Sequence, residues 1–173
     1  MRVLLNKTVF ISMRVTPEII RTLGPNDIFV FGSNLKGLHG GGAARFAMNF
    51  GAEWGNGVGI QGQTYAIPTL SLPGGDPSHM LPVSTIGKYV NQFIEFAKSH
   101  PEYTFYVTPI GCGIAGFTPE QIGPLFTDAI SVENIYLPAD FINVIENGGD
   151  SNRKTTLKGL KGMISNSIRR FLK

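Results

Sequence analysis

The stretch DIFVFGSNLKGLHGGGAARFAMNF, residues 27–50, carries three signals in succession. Asp27 leads into Ile28-Phe29-Val30-Phe31, a continuous apolar run of the kind shown by a strand whose sheet is covered on both faces. The run stops at Gly32 and a glycine-rich loop follows, from Gly32 to Gly42. Ala43 to Phe50 then offers helix-forming residues up to a stop at Gly51. A buried strand, a glycine loop and a helix together predict an α/β fold.

Working outward, the pattern recurs. Thr64 to Ile67 reads as a strand ended by Pro68, and 70–83 as a Pro/Gly/Ser loop. Ser84 can cap a helix over about 85–99, which places Ile86, Val90, Phe93, Ile94 and Ala97 on one face. Tyr103 to Thr108 predicts the next strand, and a second glycine loop, Gly111-Cys112-Gly113-Ile114-Ala115-Gly116, follows it. Thr118-Pro119-Glu120-Gln121 fits a capping box that opens a helix to about Ala129. A strand from Asn134 to Leu137 and a helix near 139–146 come next. Upstream, Thr16-Pro17-Glu18 reads as the start of a helix over about 17–23 that Gly24 would end. Strands alternating with helices predict an α/β class with helices on both faces of the sheet; the strand order is not deducible from this pattern.

The chain has 173 residues, 42% of them hydrophobic, which fits one globular domain. Cys112 is the single cysteine, so no disulfide can form within the chain; with apolar stretches near the N-terminus broken by Arg2, Lys7 and Arg14, a reducing cytoplasmic location is expected. No apolar run approaches a membrane span of roughly 18 residues. Glycine accounts for 22 residues, about twice its usual share, and ten of them lie between Gly32 and Gly62. Charge is also uneven. Residues 1–150 carry 8 Lys+Arg against 12 Asp+Glu, net −4, whereas 151–173 carry seven bases and no acid, net +7. This divides the chain into a body, 1–147, and a linker with a basic amphipathic tail, 148–173, in which Leu157, Leu160, Ile164, Ile168 and Phe171 recur at helical spacing. Docking of that stripe on the body or a partner is favoured over contact of the tail with an anionic surface or with nucleic acid.

Glycine loops between strand and helix suit phosphate. Residues without Cβ let the backbone approach closely, and the first N–H groups of the helix are unpaired and lie at its positive end. Ligands of open α/β sheets bind where strands end, so two such loops can close on one phosphorylated ligand, a diphosphate being the natural choice. Neither loop is a P-loop and neither contains Gly-x-Gly-x-x-Gly, which disfavours ATP hydrolysis and the usual Rossmann cofactors.

Asp27 to Asn34 resembles the Asp-Ala-Ile-Val-Asn-Ala-Ala-Asn strand and turn of the macrodomain family, modules that bind ADP-ribose. His39-Gly40-Gly41-Gly42-Ala43-Ala44 is similar to the His-Gly-Gly-Gly-Val-Ala of viral macrodomains, and Pro109-Ile110-Gly111-Cys112-Gly113-Ile114 resembles the Pro-x-x-Gly-Cys-Gly-Leu of branches that remove ADP-ribose from proteins or DNA. The resemblance covers about 27–138 and implies a three-layer α/β/α sandwich with a mixed central sheet. It further implies that Asn34 binds the distal ribose, that Gly40, Gly41 and Gly42 line ribose and phosphate, and that Gly111, Cys112, Gly113, Ile114, Ala115 and Gly116 cradle the diphosphate, with Gly32, Ser33, Ala43 and Phe117 also among the ligand-binding residues. Phe31 replaces the family's first asparagine, no Gly-Asp-Ile precedes the strand, and Ala115 and Leu70 stand where one hydrolase branch has an aspartate and a lysine.

The activity implied is hydrolysis of an ADP-ribosyl bond, with no cofactor and no metal. Asn34 would fix ribose hydroxyls, and His39 would place or activate water, unless it serves only to cap backbone groups. The alternative is a non-catalytic reader of ADP-ribose or another NAD-derived nucleotide. Lys36 reads as a solvated loop lysine and Cys112 as a small buried thiol. Phe117 or Phe141 could stack on adenine, although most such phenylalanines are core. His79 and His100 have no second metal ligand at useful spacing.

Overall fold

The computed structural model describes residues 14–148, so the basic tail lies outside the described residues. The fold is mixed α/β. A five-stranded sheet is built from β1 (Asp27–Asn34), β2 (Gly59–Gln61), β3 (Thr64–Leu70), β4 (Thr104–Val107) and β5 (Ile135–Tyr136) in the order β2-β3-β1-β4-β5. β1 is central and runs parallel to β3 and β4; β4 is parallel to β5, and β2 alone is antiparallel to its neighbour. The helices are α1 (Gly42–Ala47), α2 (Val83–Ser99), α3 (Pro119–Ile122) and α4 (139–148).

Both faces of β1 are buried, as its uninterrupted apolar run requires. Ile28 and Val30 join a large cluster with Phe93, Phe105, Phe126 and Phe141, whereas Phe29 and Phe31 face a smaller cluster with Ala47, Ala52 and Ala66. The five α2 residues placed on one face by spacing, Ile86, Val90, Phe93, Ile94 and Ala97, are all buried in the large cluster. Pro119 at the start of α3 and the Gln121 carboxamide, which accepts from the Thr118 N–H at 3.0 Å, account for its first turn.

Several elements differ from the sequence expectation. No helix forms over 17–23: just before it the Thr16 N–H donates to the Leu137 carbonyl at 2.9 Å, and Val15 bridges Leu137 in parallel, so long-range pairing holds the entry to the segment extended. Beyond this contact Ile20 and Leu23 pack against the smaller cluster around Phe29 and Phe31. β1 runs past Gly32 to Asn34, and β3 runs past Pro68 to Leu70. Proline is tolerated there because β2 pairs with β3 only as far as Ala66. The helix expected to reach Ala129 is one α-helical turn followed by a 3-10 helix, Gly123–Ser131, since Pro124 has no N–H for the α ladder. Among the described residues no helix is long and apolar enough to cross a membrane.

Candidate functional site

β1, β3 and β4 run parallel, and the loops that follow them gather at one end of the sheet. They enclose a cleft of about 450 Å³. Gly32, Ser33 and Asn34 at the end of β1 and Gly40 to Ala44 form one wall; Gly111, Gly113, Ile114 and Ala115 form the other. Thr69 and Leu70 at the end of β3, with Pro73 and Gly74 of the Pro/Gly/Ser loop, close a third side. The loop leaving β3 turns back on itself: Ser71 N–H donates to the His79 carbonyl at 2.7 Å and Leu81 N–H to the Thr69 carbonyl at 3.0 Å, so its tip stands beside the cleft.

The walls meet at the mouth. Ile114 is 56% exposed, yet its Cδ1 would lie 3.1 Å from a Cβ placed on Gly41. At the floor, Gly32 passes so close to the second loop that a Cβ there would lie 3.2 Å from the Gly111 N. Gly111 adopts a φ of 72°, in the left-handed region that favours glycine, and turns the chain over Phe117 and Thr69.

Asn34 sits in the wall, 5% exposed, and braces its own loop: Nδ2 donates to the Leu38 carbonyl at 3.0 Å, and Oδ1 accepts from the Leu38 N–H at 3.1 Å. A carboxamide has two N–H donors and two lone pairs on oxygen, so one of each is left over. Backbone donors are available as well. The N–H groups of Gly41, Gly111, Gly113, Ile114 and Ala115 donate to no acceptor among the described residues, and no side chain caps α1. No Asp, Glu, Lys, Arg or His belongs to the lining among the described residues. The cleft therefore presents neutral donors, without side-chain charge, at the ends of parallel strands.

Other sequence candidates lie elsewhere. His39 is 2% exposed and does not line the cleft; its ring packs edge-to-face on Phe31, and Nε2 lies 3.0 Å from the Asn56 carbonyl. Phe117 and Phe141 are buried in the large cluster, so neither ring has a face free to stack on a base. Gly116 does not line the cleft, and neither does Cys112, whose Sγ lies 3.4 Å from the Ile110 carbonyl. Burial first, then the carboxylates of Glu120 and Asp140, push the Cys112 thiol above its ordinary value. A raised folded-state value means that the native protein keeps this proton when the unfolded chain, ionising near about 8.5, begins to lose it. The stabilisation from Cys112 is thus complete below that pH and is expected to disappear as pH rises through the folded-state value. Iodoacetamide should alkylate Cys112 at pH 8 more slowly than it alkylates an unstructured cysteine peptide; equal rates would contradict the burial.

A second cavity, about 570 Å³, adjoins the cleft and shares Ala43 with it. Its lining includes Val15, Ile20, Phe29, Phe46, Pro109 and Pro138, with Glu18 and Asp140 also present. Thr16, part of the same lining, has a buried Oγ1 without a hydrogen-bond partner. Lys36 and Trp54 are exposed outside both cavities, and among the described residues no cluster of His, Cys, Asp and Glu could hold a metal. No protein-family model matches the chain, and no curated protein matches it.

Proposed function

We propose that the chain is a macrodomain-like α/β/α module that binds ADP-ribose, or a close derivative, in the cleft between the two glycine loops. The observation that carries this reading is the convergence of both loops on one cleft with unpaired backbone N–H groups in each wall. A diphosphate there is held by N–H dipoles and close backbone approach in place of lysine or arginine. The adjoining apolar cavity suits the base, with the Thr16 hydroxyl as a polar handle, and the shared Ala43 lets one ligand run through both spaces. The leftover donor and acceptor of Asn34 suit ribose hydroxyls.

Binding is the better supported role, because no titratable side chain in the lining can serve as general acid or base. Hydrolysis of an ADP-ribosyl bond is a second reading. It draws on Asn34 to hold the distal ribose while water attacks the anomeric carbon.

Calorimetry with ADP-ribose tests the binding. Heat of binding is expected for the intact protein, and Asn34→Ala is expected to bind about 10- to 100-fold more weakly, because the substitution removes ligand contacts and the brace to Leu38. Absence of heat at millimolar ADP-ribose would sink the proposal. Incubation with ADP-ribosylated protein or DNA separates the two roles: free ADP-ribose appears only with the hydrolase.

A further inference from the structure

We propose that Gln61 and His39 are positioning residues for the glycine-loop wall of the cleft, acting together through a single backbone acceptor, the Asn56 carbonyl. This rests on the proposed ADP-ribose site for its ligand, but the arrangement itself is independent of any ligand.

Gln61 ends the three-residue edge strand β2 and is 3% exposed. A carboxamide buried this deeply is costly unless paired. Both of its ends are paired: Oε1 accepts from the Glu53 N–H at 2.7 Å, and Nε2 donates to the Asn56 carbonyl at 3.0 Å. One side chain therefore ties together the start and the middle of the turn that precedes β2.

The same carbonyl faces His39 Nε2 at 3.0 Å. A carbonyl only accepts, so His39 Nε2 is the donor in this bond. Nδ1 is buried and without a partner. A general base must reach its proton directly or through one water. His39 is sealed behind the wall, whereas its neighbours Leu38 and Gly40 line the cleft. Its geometry is that of a strut. Two further bonds join the same segments: Ser33 Oγ donates to the Gly57 carbonyl at 2.5 Å, and the Gly55 N–H to the Gly37 carbonyl at 2.9 Å. The order of support runs from Gln61 to the Asn56 carbonyl, to His39, to Gly40.

The test compares Gln61→Glu, His39→Ala and His39→Gln in the full chain. Gln61→Glu keeps an acceptor for Glu53 but puts a carboxylate oxygen in place of the donor to Asn56. His39→Gln can still donate to that carbonyl. Amide exchange without ligand is expected to quicken about tenfold or more at Leu38, Gly40 and Arg45 in Gln61→Glu and His39→Ala, with α2 unchanged. ADP-ribose affinity, measured by calorimetry from pH 6 to 8.5, is expected to fall about tenfold in both, whereas His39→Gln recovers most of it and leaves the shape of the pH profile intact.

If His39→Gln is as impaired as His39→Ala, or flattens a pH dependence present in the parent, His39 acts chemically and the inference fails. Unchanged exchange at the three amides in folded Gln61→Glu would also overturn it. Should Gln61→Glu not fold, the two His39 variants decide alone. Should the parent not bind ADP-ribose, the functional proposal fails, and the exchange rates still decide the positioning.

Discussion

Gly57→Ala is expected to destabilise the fold by about 3 kcal/mol, measured as a lowered denaturation midpoint with an unchanged slope. The cause is a backbone-to-backbone approach. A Cβ on Gly57 would lie 2.0 Å from the Asn34 carbonyl oxygen and 3.1 Å from the Gly37 N. Neither can retreat cheaply. Asn34 is in the sheet, with its carbonyl accepting from the Gly37 N–H at 2.9 Å, and Gly57 itself receives the Ser33 hydroxyl. Gly37 meets the turn from the other side, since a Cβ on it would lie 2.2 Å from the Asn56 N. A domain of this size should lose several degrees of melting temperature. A variant within about 0.5 kcal/mol of the parent, the usual range for unremarkable surface changes, would show that the loop and the turn are not locked together.

The largest expected effect on binding is the opposite case, in which the fold is spared. Gly40 lines the first wall of the cleft and Gly113 the second; neither has a positive φ, and a Cβ on either meets no other segment within 4 Å. Valine at either position is expected to leave stability within about 1 kcal/mol of the parent, because its Cβ enters open space and the φ of each residue suits a side chain. Its methyl groups narrow a cleft of about 450 Å³ and oppose the close approach of a phosphate to the N–H groups. ADP-ribose affinity should drop at least about 100-fold in Gly40→Val and in Gly113→Val, read by calorimetry on variants first shown to melt cooperatively. Parent-like affinity in both would mean that the ligand does not lie between the loops. Loss in only one would place the diphosphate against that wall alone.

Much of the scaffold was legible. The apolar run of β1, the one-sided face of α2 and the glycine loop after β4 are recovered in place, because each depends on residues close in sequence. The candidate site was legible in part. Asn34, Gly40 to Ala43, Gly111, Gly113, Ile114 and Ala115 do line one cleft, as does Leu70 at the position where one hydrolase branch has its lysine, while Thr69, Pro73 and Gly74 carry no local sign of a site. Their tip is placed by hydrogen bonds between Ser71 and His79 and between Thr69 and Leu81, and a Pro/Gly/Ser composition does not reveal such pairing. β2 was missed because Gly59, Ile60 and Gln61 are too short a stretch to show an alternation; a pairing of Ile60 with Tyr65 makes it a strand.

The misread segment at 17–23 makes the same point from the other side. Thr16, Pro17 and Glu18 offer a cap, a first-position proline and a first-turn acid, yet the chain there stays extended and Leu137, more than a hundred residues away, takes the Thr16 N–H. Likewise a histidine before three glycines reads equally as a group that activates water or as one that caps backbone groups; only the tertiary structure shows its ring against Phe31 and its Nε2 on the Asn56 carbonyl. The chain's own order of residues decides where strands stop, where glycine permits close approach and which helix face is apolar, since these follow from steric and hydrophobic preferences over a few positions. Which loops face each other, which polar groups are spent on other polar groups and which remain free for a ligand depend on contacts between distant segments. Those contacts exist only once the sheet has brought the ends of β1, β3 and β4 to the same side.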